Sequence, residues 1–445
     1  MAQIPDKRKP VPATKTARLG GLAGLLSTVA GNVLKNTSKQ LLSGQKPSLK
    51  QSLLAADNAA SIADKLAHMR GAAMKVGQLL AMDTGDILPP AWEPILSRLR
   101  QGADHMPQAQ LLNILVSHWG EHWHDQFRQF ELQPIAAASI GQVHRAQLWD
   151  HTFVAIKVQY PSVKQSIDSD IDSIAWVIKH MGVLPAHIDL SSLLTQAKAQ
   201  LHDEADYALE AQHIGTYTQL ISNSPEFVLP EVYTELSSDT LLTMRFIDGE
   251  PLESVQVGAT LKGVVITQTH IDDLMSQLLM LCFRELFEFR LLQSDPNFAN
   301  YLYVPETQQI ALLDFGATQP IAADTSDAYR ALALAMLNQS RSAILVQLQA
   351  LGLVDAHMSK ATVEVILDGC MLASEALQSE QYDIKVAKLV KRLQDITALL
   401  VQERDVTATP DFAVAMINRK VTGLILLANR LGARLDLAKL LAPYH

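Results

Sequence analysis

Residues 293–316, QSDPNFANYLYVPETQQIALLDFG, limit what this chain can fold into more than any other stretch. Two short apolar runs, 301–304 and 310–313, flank Pro305, Glu306 and Thr307, which is the pattern of a β-hairpin. Asp295 and Asn300 lie five residues apart on a loop-forming run that contains Pro296. The second strand then returns the chain, with Asp314 at its end, beside that loop. One hairpin thus gathers two carboxylates and a carboxamide. Asp295 can accept a proton, and Asn300 and Asp314 can offer oxygen to a hard cation such as Mg2+. An Asx-turn at Asp295 and a chance Asp-Phe-Gly triplet would each account for half of the pattern. A hairpin joining the two halves makes coincidence a poor explanation.

A chain of 445 residues has room for two lobes, each with its own core. Its two cysteines, Cys282 and Cys370, sit in apolar helix-like runs with neither a disulfide framework nor metal-ligand spacing. Buried thiols in a reducing compartment are expected. The net charge of −9 conceals an asymmetry: residues 1–50 hold nine Lys/Arg against the single acid Asp6, so the remainder carries −17. That balance argues against nucleic-acid binding by the main body. The first 50 residues read as a basic, flexible arm: a contact for anionic lipid, a targeting sequence or a solvated tail. The uncharged run between Arg18 and Lys35 is sixteen residues long, short of the roughly 20 that span a bilayer. Neither it nor the VTGLILLAN run near the C-terminus is expected to be transmembrane.

Ahead of the hairpin, residues 51–82 show helical spacing and contain Lys75-Val76-Gly77-Gln78, where Lys75 by itself reads as an ordinary basic residue near a helix end. Helices are expected at 92–100 and, after Pro107, at 108–119. In SHWGEHWHD, His118 and His122 have an i, i+4 spacing that can hold zinc, with His124 nearby. Gly120 interrupts the helix and no Cys or second His cluster completes the site, so a metal site is not expected there. Residues 131–160 read as a strand at 132–135, a tight loop at AAASIGQV, a strand, a turn at 149–151, and a strand carrying Lys157 in Val-Ala-Ile-Lys. An ammonium in so apolar a run needs a carboxylate or phosphate partner. Helical stretches follow at 163–180 and 190–218. Six residues on a helix is about 240° of rotation, so Glu204 and Glu210 in the second are expected not to share one partner surface, one facing Lys157 and the other something else. Strands are expected at 227–232 and 240–246, then a Gly-Pro-broken crossover. After 267 everything but the hairpin reads as helix: 269–290, 324–338, 340–352, 359–378, 383–402 and 411–432. There is no internal repeat.

Strand, loop, strand, VAIK, acidic helix, linker, long helix, D-x-x-x-x-N, hairpin and DFG is the order of parts in a protein kinase. From about residue 50 to the C-terminus the chain resembles the UbiB family of atypical kinase-like ATPases (AarF-domain kinases), in the branch linked to ubiquinone biosynthesis. Lys75-Val76-Gly77-Gln78 is similar to the family's K-x-G-Q motif, and Ala136-Ala137-Ala138-Ser139 to its alanine-rich loop. Glu204-Ala205-Asp206 is similar to its E-x-D motif, and Asp295-Pro296-Asn297 with Asn300 to its catalytic loop. DPNFAN stands where many members have DPHPGN, which leans toward the mitochondrial and proteobacterial branch. The C-terminal hydrophobic spans of some bacterial members are missing, so a membrane anchor of that kind does not carry over.

The resemblance implies an α+β, protein-kinase-like, two-lobed fold. Its parts are a basic arm (1–50), a helical extension with the K-x-G-Q motif (51–130), a small antiparallel-sheet N-lobe (131–250) and a helical C-lobe (251–445). It implies ATP and Mg2+ as cofactors. Lys157 is expected on the α/β-phosphates, paired with Glu210 in preference to Glu204. Asn300 and Asp314 are expected on the metal, Asp295 at the acceptor, and Ala136, Ala137, Ala138 and Ser139 over the phosphates. Adenine is expected near Phe246 and Ile247, and Lys75 facing Glu204 or Asp206 across the active site. The expected partners are ATP and ADP, an anionic membrane surface with lipid or quinone intermediates, and other quinone-biosynthesis proteins. The expected location is the inner face of the inner membrane, cytoplasmic or, alternatively, in the mitochondrial matrix. Gln293-Ser294 replaces the usual His-Arg before Asp295, and neither Ala-Pro-Glu nor a long activation segment follows Gly316. An ATPase is therefore expected ahead of a phosphotransferase with a protein or small-molecule acceptor, and ahead of a nucleotide-sensing scaffold.

Overall fold

The structure is a computed structural model that describes residues 105–138, 140–181, 190–295, 297–402 and 410–445. The basic arm, the K-x-G-Q stretch with Lys75, the helix expected at 92–100, Ser139 and Pro296 lie outside these residues. The chain divides into two compact units, one of residues 1–211 with 231–246 and one of 212–230 with 247–445.

The first unit is built on an antiparallel sheet in the order β1 (Gln129–Phe130), β3 (Gly141–Gln147), β4 (Phe153–Gln159), β6 (Leu241–Arg245), with β2 (Ala136–Ala137) added to β3. Side chains alternate between the faces of a strand, and β4 uses both. Val154, Ile156 and Val158 are fully buried in a core shared with Leu111 and Leu115 of α1 (Gln108–Trp119). From the opposite face Lys157 reaches Glu210 and Gln159 reaches the Ala205 carbonyl. The α1 helix ends at Gly120, whose φ of 80° ends the run as the glycine in SHWGEHWHD foretold. His118 meets the Thr240 hydroxyl, while the exposed His122 and His124 both lie near the Asp125 carboxylate. The strand expected at 132–135 forms earlier, as β1, because Phe130 is the residue that packs on the core, beside Trp123 and Phe127.

The long helical stretch expected at 190–218 is two helices, α3 (Leu190–Glu204) and α4 (Tyr207–Leu220), after α2 (Val163–Met181). The break falls at Ala205-Asp206. Asp206 accepts from the Leu209 N–H at 3.2 Å and so caps the new helix, and the Tyr207 N–H donates to the Asp239 carbonyl. Glu204 and Glu210 therefore belong to different helices, and the rotation expected of one continuous helix does not apply to them.

The second unit holds the hairpin. Strands β11 (Tyr301–Val304) and β12 (Gln309–Leu312) pair antiparallel, Tyr301 opposite Leu312 and Val304 opposite Gln309, around a turn that includes Gln308 at φ 58°. The sheet runs β5 (Phe227–Val228), β12, β11, β7 (Glu250–Pro251), with β5 parallel to β12. Gly249 leads into β7 so closely over β11 that an added Cβ would stand 2.7 Å from the Leu302 Cβ. A separate hairpin, β8 (Thr260–Leu261) with β9 (Val264–Val265), precedes the helices.

Helix α5 (Gln268–Arg284) starts in a capping box of Thr267 and His270 and runs into a π-helical turn, Glu285–Phe289. It leads to β10 (Leu291–Gln293), which pairs with β13 (Thr318–Pro320); neither strand was expected. Helices α6 (Ala323–Leu337), α7 (Arg341–Ala350) and α8 (Lys360–Ser374) follow. A short strand β14 (Tyr382–Asp383) then precedes α9 (Leu389–Gln402), which starts six residues later than expected. The chain ends in α10 (Phe412–Leu431), β15 (Arg434–Leu435, on β14) and α11 (Leu437–Leu441). By length and composition α10 is apolar enough to cross a membrane, against expectation; 44% of its apolar window is buried, and so is its Lys420. That is the character of a core helix.

His144 on β3 is fully buried and bonded on both ring nitrogens. The Glu131 carbonyl can only accept, at 2.9 Å, so Nδ1 carries the proton and Nε2 accepts from the Gln142 amide at 2.8 Å. Gln142 in turn accepts from the Met106 N–H. Burial, first of all, lowers the imidazole pKa to about 4. Between an unfolded-state pKa near 6.5 and that value, the unfolded chain binds a proton that the folded chain refuses. This part of the stability is present above pH 6.5 and is lost as pH falls toward 4, by on the order of 3 kcal/mol. Urea unfolding from pH 7.5 to 4.5 should show that slope, and His144→Gln should flatten it. A wild-type stability independent of pH over this range would mean that the ring is charged in the fold.

Candidate active site

In the second unit the structure brings together the three hairpin residues. The Leu313 N–H donates to the Asn300 carbonyl at 3.0 Å, so the strand that ends at Asp314 is pinned to the loop that ends at Asn300. The Asn300 side chain is buried and its amide nitrogen faces the Asp295 carbonyl at 3.5 Å. Each residue is held by its own local bonds. Asp295 Oδ1 accepts from the Asn297 N–H, Asn297 caps a 3-10 turn (Phe298–Asn300), and Asp314 Oδ1 accepts from the Gly316 N–H at 3.1 Å. The Asx-turn at Asp295 is thus present, and it shapes the same loop that presents the carboxylate. One amide oxygen and one carboxylate on adjoining segments suit a hard divalent cation.

The Phe315 side chain is buried against Tyr217 of α4, ring centroids 4.7 Å apart, and its carbonyl meets His213 Nδ1 at 3.1 Å. Only six residues separate Gly316 from α6. They run through β13, and Ser294 ties the start of the loop to them through its N–H and hydroxyl, both on the Ala317 carbonyl. Sequence reasoning missed Arg419 of α10. Its guanidinium lies 3.3 Å from Asp295 Oδ1, and its Nη1 is buried without a hydrogen-bond partner. No motif marks it, since it lies over a hundred residues beyond the hairpin in a helix that reads as apolar.

In the first unit Lys157 Nζ lies 2.5 Å from Glu210 Oε1, both side chains buried. This is the partner expected in preference to Glu204. Asp206, the other acid of the E-x-D motif, pairs with Lys164 at 3.2 Å. Burial opposes its ionisation, but the Leu209 N–H and the Lys164 ammonium hold its carboxyl below the usual range.

Ala136 and Ala137 are exposed and paired with Val143 and Gln142, so these two alanines form a strand, and the Ala138 N–H donates to the Gly141 carbonyl at 2.9 Å. Gly141 is not a loop glycine in the phosphate-binding sense. An added Cβ would stand 2.5 Å from the Val158 carbonyl oxygen and 2.8 Å from the Tyr207 hydroxyl, which makes it a packing requirement of β3. The N–H groups of Arg245 and Phe246 bond to the Glu231 and Phe153 carbonyls. The Phe246 ring, with Phe153, flanks the Arg145 guanidinium. Ile247 begins the longer segment of the second unit. A cavity of about 610 Å³ lined by Met371, Leu372, Ile396, Asp368 and Arg392 shares no residue with any of these groups.

A family model described as the ABC1 atypical kinase-like domain matches residues 98–348. The mitochondrial atypical kinase COQ8 of Saccharomyces cerevisiae is 32% identical over 438 residues, which cover 98% of this chain and 85% of the yeast protein. The mitochondrial atypical kinase COQ8B of Rattus norvegicus is 33% identical over 433 residues, 97% of this chain and 80% of the rat protein. Among solved structures, Rv3197 of Mycobacterium tuberculosis, determined in complex with erythromycin, superposes with a TM-score of 0.60 over 88% of this chain and 96% of its own. At 22% identity that likeness establishes the fold alone.

Removing the carboxylate from a buried ammonium costs far more than replacing both charges by apolar groups. Glu210→Ala should therefore destabilise the protein by about 3–5 kcal/mol in urea unfolding, and Lys157→Met/Glu210→Leu by much less. Equal losses would mean that the pair is not buried in solution.

Proposed function

Since the chain belongs to the ABC1 family of atypical kinase-like enzymes, we propose that it is a Mg·ATP-dependent ATPase that supports ubiquinone biosynthesis, its turnover coupled to lipid at an anionic membrane surface. The observation that carries this is the hairpin, which joins the Asp295–Asn300 loop to the strand delivering Asp314. Bound Mg·ATP would supply a transferable phosphoryl group and a divalent charge to offset its oxygens. Asn300 and Asp314 are the residues to hold the metal. Lys157, kept in place by Glu210, is the group to meet α/β-phosphate oxygens. Asp295 is placed to orient, or take a proton from, the attacking water or hydroxyl.

Ala136, Ala137, Ala138 and Ser139 take the place of phosphate-cradling glycines. Their methyl groups narrow the backbone's approach to phosphate, which changes affinity or pose without abolishing binding. Adenine is assigned to the backbone beside Phe246 and Ile247. With the Arg245 and Phe246 N–H groups already engaged, its recognition falls to carbonyls and to Ile247. Lys75 is assigned to face Glu204 or Asp206. The short link from Gly316 to α6 has no platform for a peptide acceptor, which favours water or a small molecule. The mitochondrial names of the relatives favour the matrix over the cytoplasm, with the basic N-terminal arm as the membrane contact.

ATP turnover by the purified protein should require Mg2+ and rise with anionic liposomes and with phenols that mimic quinone-precursor head groups. Asp314→Asn should abolish metal-dependent nucleotide binding; hydrolysis that survives it would remove the assigned metal site. Transfer of labelled γ-phosphate to an acceptor in extract, lost in Asp295→Asn, would replace the ATPase by a phosphotransferase. Ala138→Gly should shift ATP or ADP affinity, and unchanged affinity for both would end the role given to the alanine turn.

A further inference from the structure

The strand β10 leads through Ser294 into Asp295, and among the described residues only one of its edges is covered by a strand. Leu291 and Gln293 lie opposite Pro320 and Thr318 of β13, and their outer backbone groups face away from that partner. On that outer edge the Tyr217 hydroxyl donates to the Leu291 carbonyl at 3.0 Å, and Lys420 Nζ donates to the Gln293 carbonyl at 2.8 Å. The Gln293 N–H points the same way, 3.4 Å from Glu285 Oε1. Lys420 and Glu285 are themselves an ion pair at 3.0 Å, with side chains 3% and 1% exposed. An ammonium on the C=O and a carboxylate on the N–H of one residue do what a third strand would do. Glu285 is turned inward by the π-helical turn that ends α5, and Tyr217 donates to the same carboxylate at 2.9 Å. Burial alone would lower the Lys420 pKa, but the Glu285 charge, with Tyr301 and Cys282, raises it well above the ordinary lysine value, so the ammonium stays charged.

A buried ion pair is a poor way to gain stability, because desolvation offsets most of the attraction and an apolar pair of like size serves the core as well. What an apolar pair cannot do is hold Gln293 at both backbone groups. We infer that the Lys420–Glu285 pair positions the Asp295 loop for catalysis by acting as a surrogate strand on β10. Lys420 is a positioning residue here, not a catalytic one: one residue, Ser294, separates Gln293, whose carbonyl it holds, from Asp295. This rests on Asp295 acting at the acceptor, as proposed above.

The test compares wild type with Lys420→Met, Lys420→Arg, the apolar pair Lys420→Met/Glu285→Leu, and Tyr217→Phe, which keeps the ring packed on Phe315. Each full-length variant is assayed for ATP turnover with Mg2+ and anionic liposomes, for the KM of ATP, for urea stability, and for hydrogen exchange of peptides spanning residues 291–301. The apolar pair is expected to regain most of the stability lost in Lys420→Met. It should still show kcat at least tenfold below wild type, KM within about threefold, and faster exchange confined to 291–301. Lys420→Arg should recover part of kcat, and Tyr217→Phe should lose threefold or more. A stable apolar pair with wild-type kcat and unchanged exchange would reduce the ion pair to core support and overturn the inference. If the apolar pair does not fold, Tyr217→Phe decides on the same two readouts. A wild-type protein with no turnover would sink the ATPase assignment instead, leaving the exchange pattern to judge the strand role alone.

Discussion

The second unit depends on the antiparallel register of β11 and β12. Tyr301 opposite Leu312 makes Asn300 and Leu313 neighbours across the ladder, and their backbone bond at 3.0 Å joins the two segments that carry the chemistry. A slip of one residue would turn every side chain of β12 to the opposite face. The register is secured from both sides, by parallel pairing to β5 and by the close passage of Gly249 over β11. Buried Tyr301, Tyr303, Ile310 and Leu312 supply the apolar area that makes any other register costly.

Two of the ion pairs among the described residues, Lys157–Glu210 and Lys420–Glu285, are buried. Lys157 lies on the polar-facing side of β4, where alternation directs it at Glu210 while its neighbours Ile156 and Val158 fill the core. Lys420 lies in a helix apolar enough to span a bilayer, yet its ammonium is absorbed by Glu285 and the Gln293 backbone. The ammonium in the first case lies 2.5 Å from the Glu210 carboxylate. In the second it is held by carboxylate, carbonyl and side-chain amide together, and its role is to hold the chain.

The kinase-like family assignment shows that the motif order was informative across most of the chain. Legibility varied with the range of the interaction. The hairpin, α1 from Gln108 to Trp119, and the helical ending were readable because turn residues, proline and periodic apolar spacing are local signals. The break at Asp206 was missed because a short polar side chain can cap a helix or ride within one, and the choice was made by Asp239 and Leu209. Strands β10 and β13 were missed because three-residue strands carry almost no pattern of their own. The packing role of Gly141 is illegible in the sequence for a similar reason: the Val158 carbonyl and the Tyr207 hydroxyl that forbid a Cβ there come from other elements.

By itself the sequence determined that a hairpin would bring Asp295, Asn300 and Asp314 to one place, since strand length, turn chemistry and the spacing of the acids are all local. It also determined that Lys157 would need an anion, because an ammonium cannot stay alone in an apolar strand. Only the tertiary structure decided which anion it is, and that Arg419 and Lys420, more than a hundred residues further on, reach the loop that begins at Gln293. Long-range pairing is a matter of which surfaces pack together, and no local spacing along the chain encodes it.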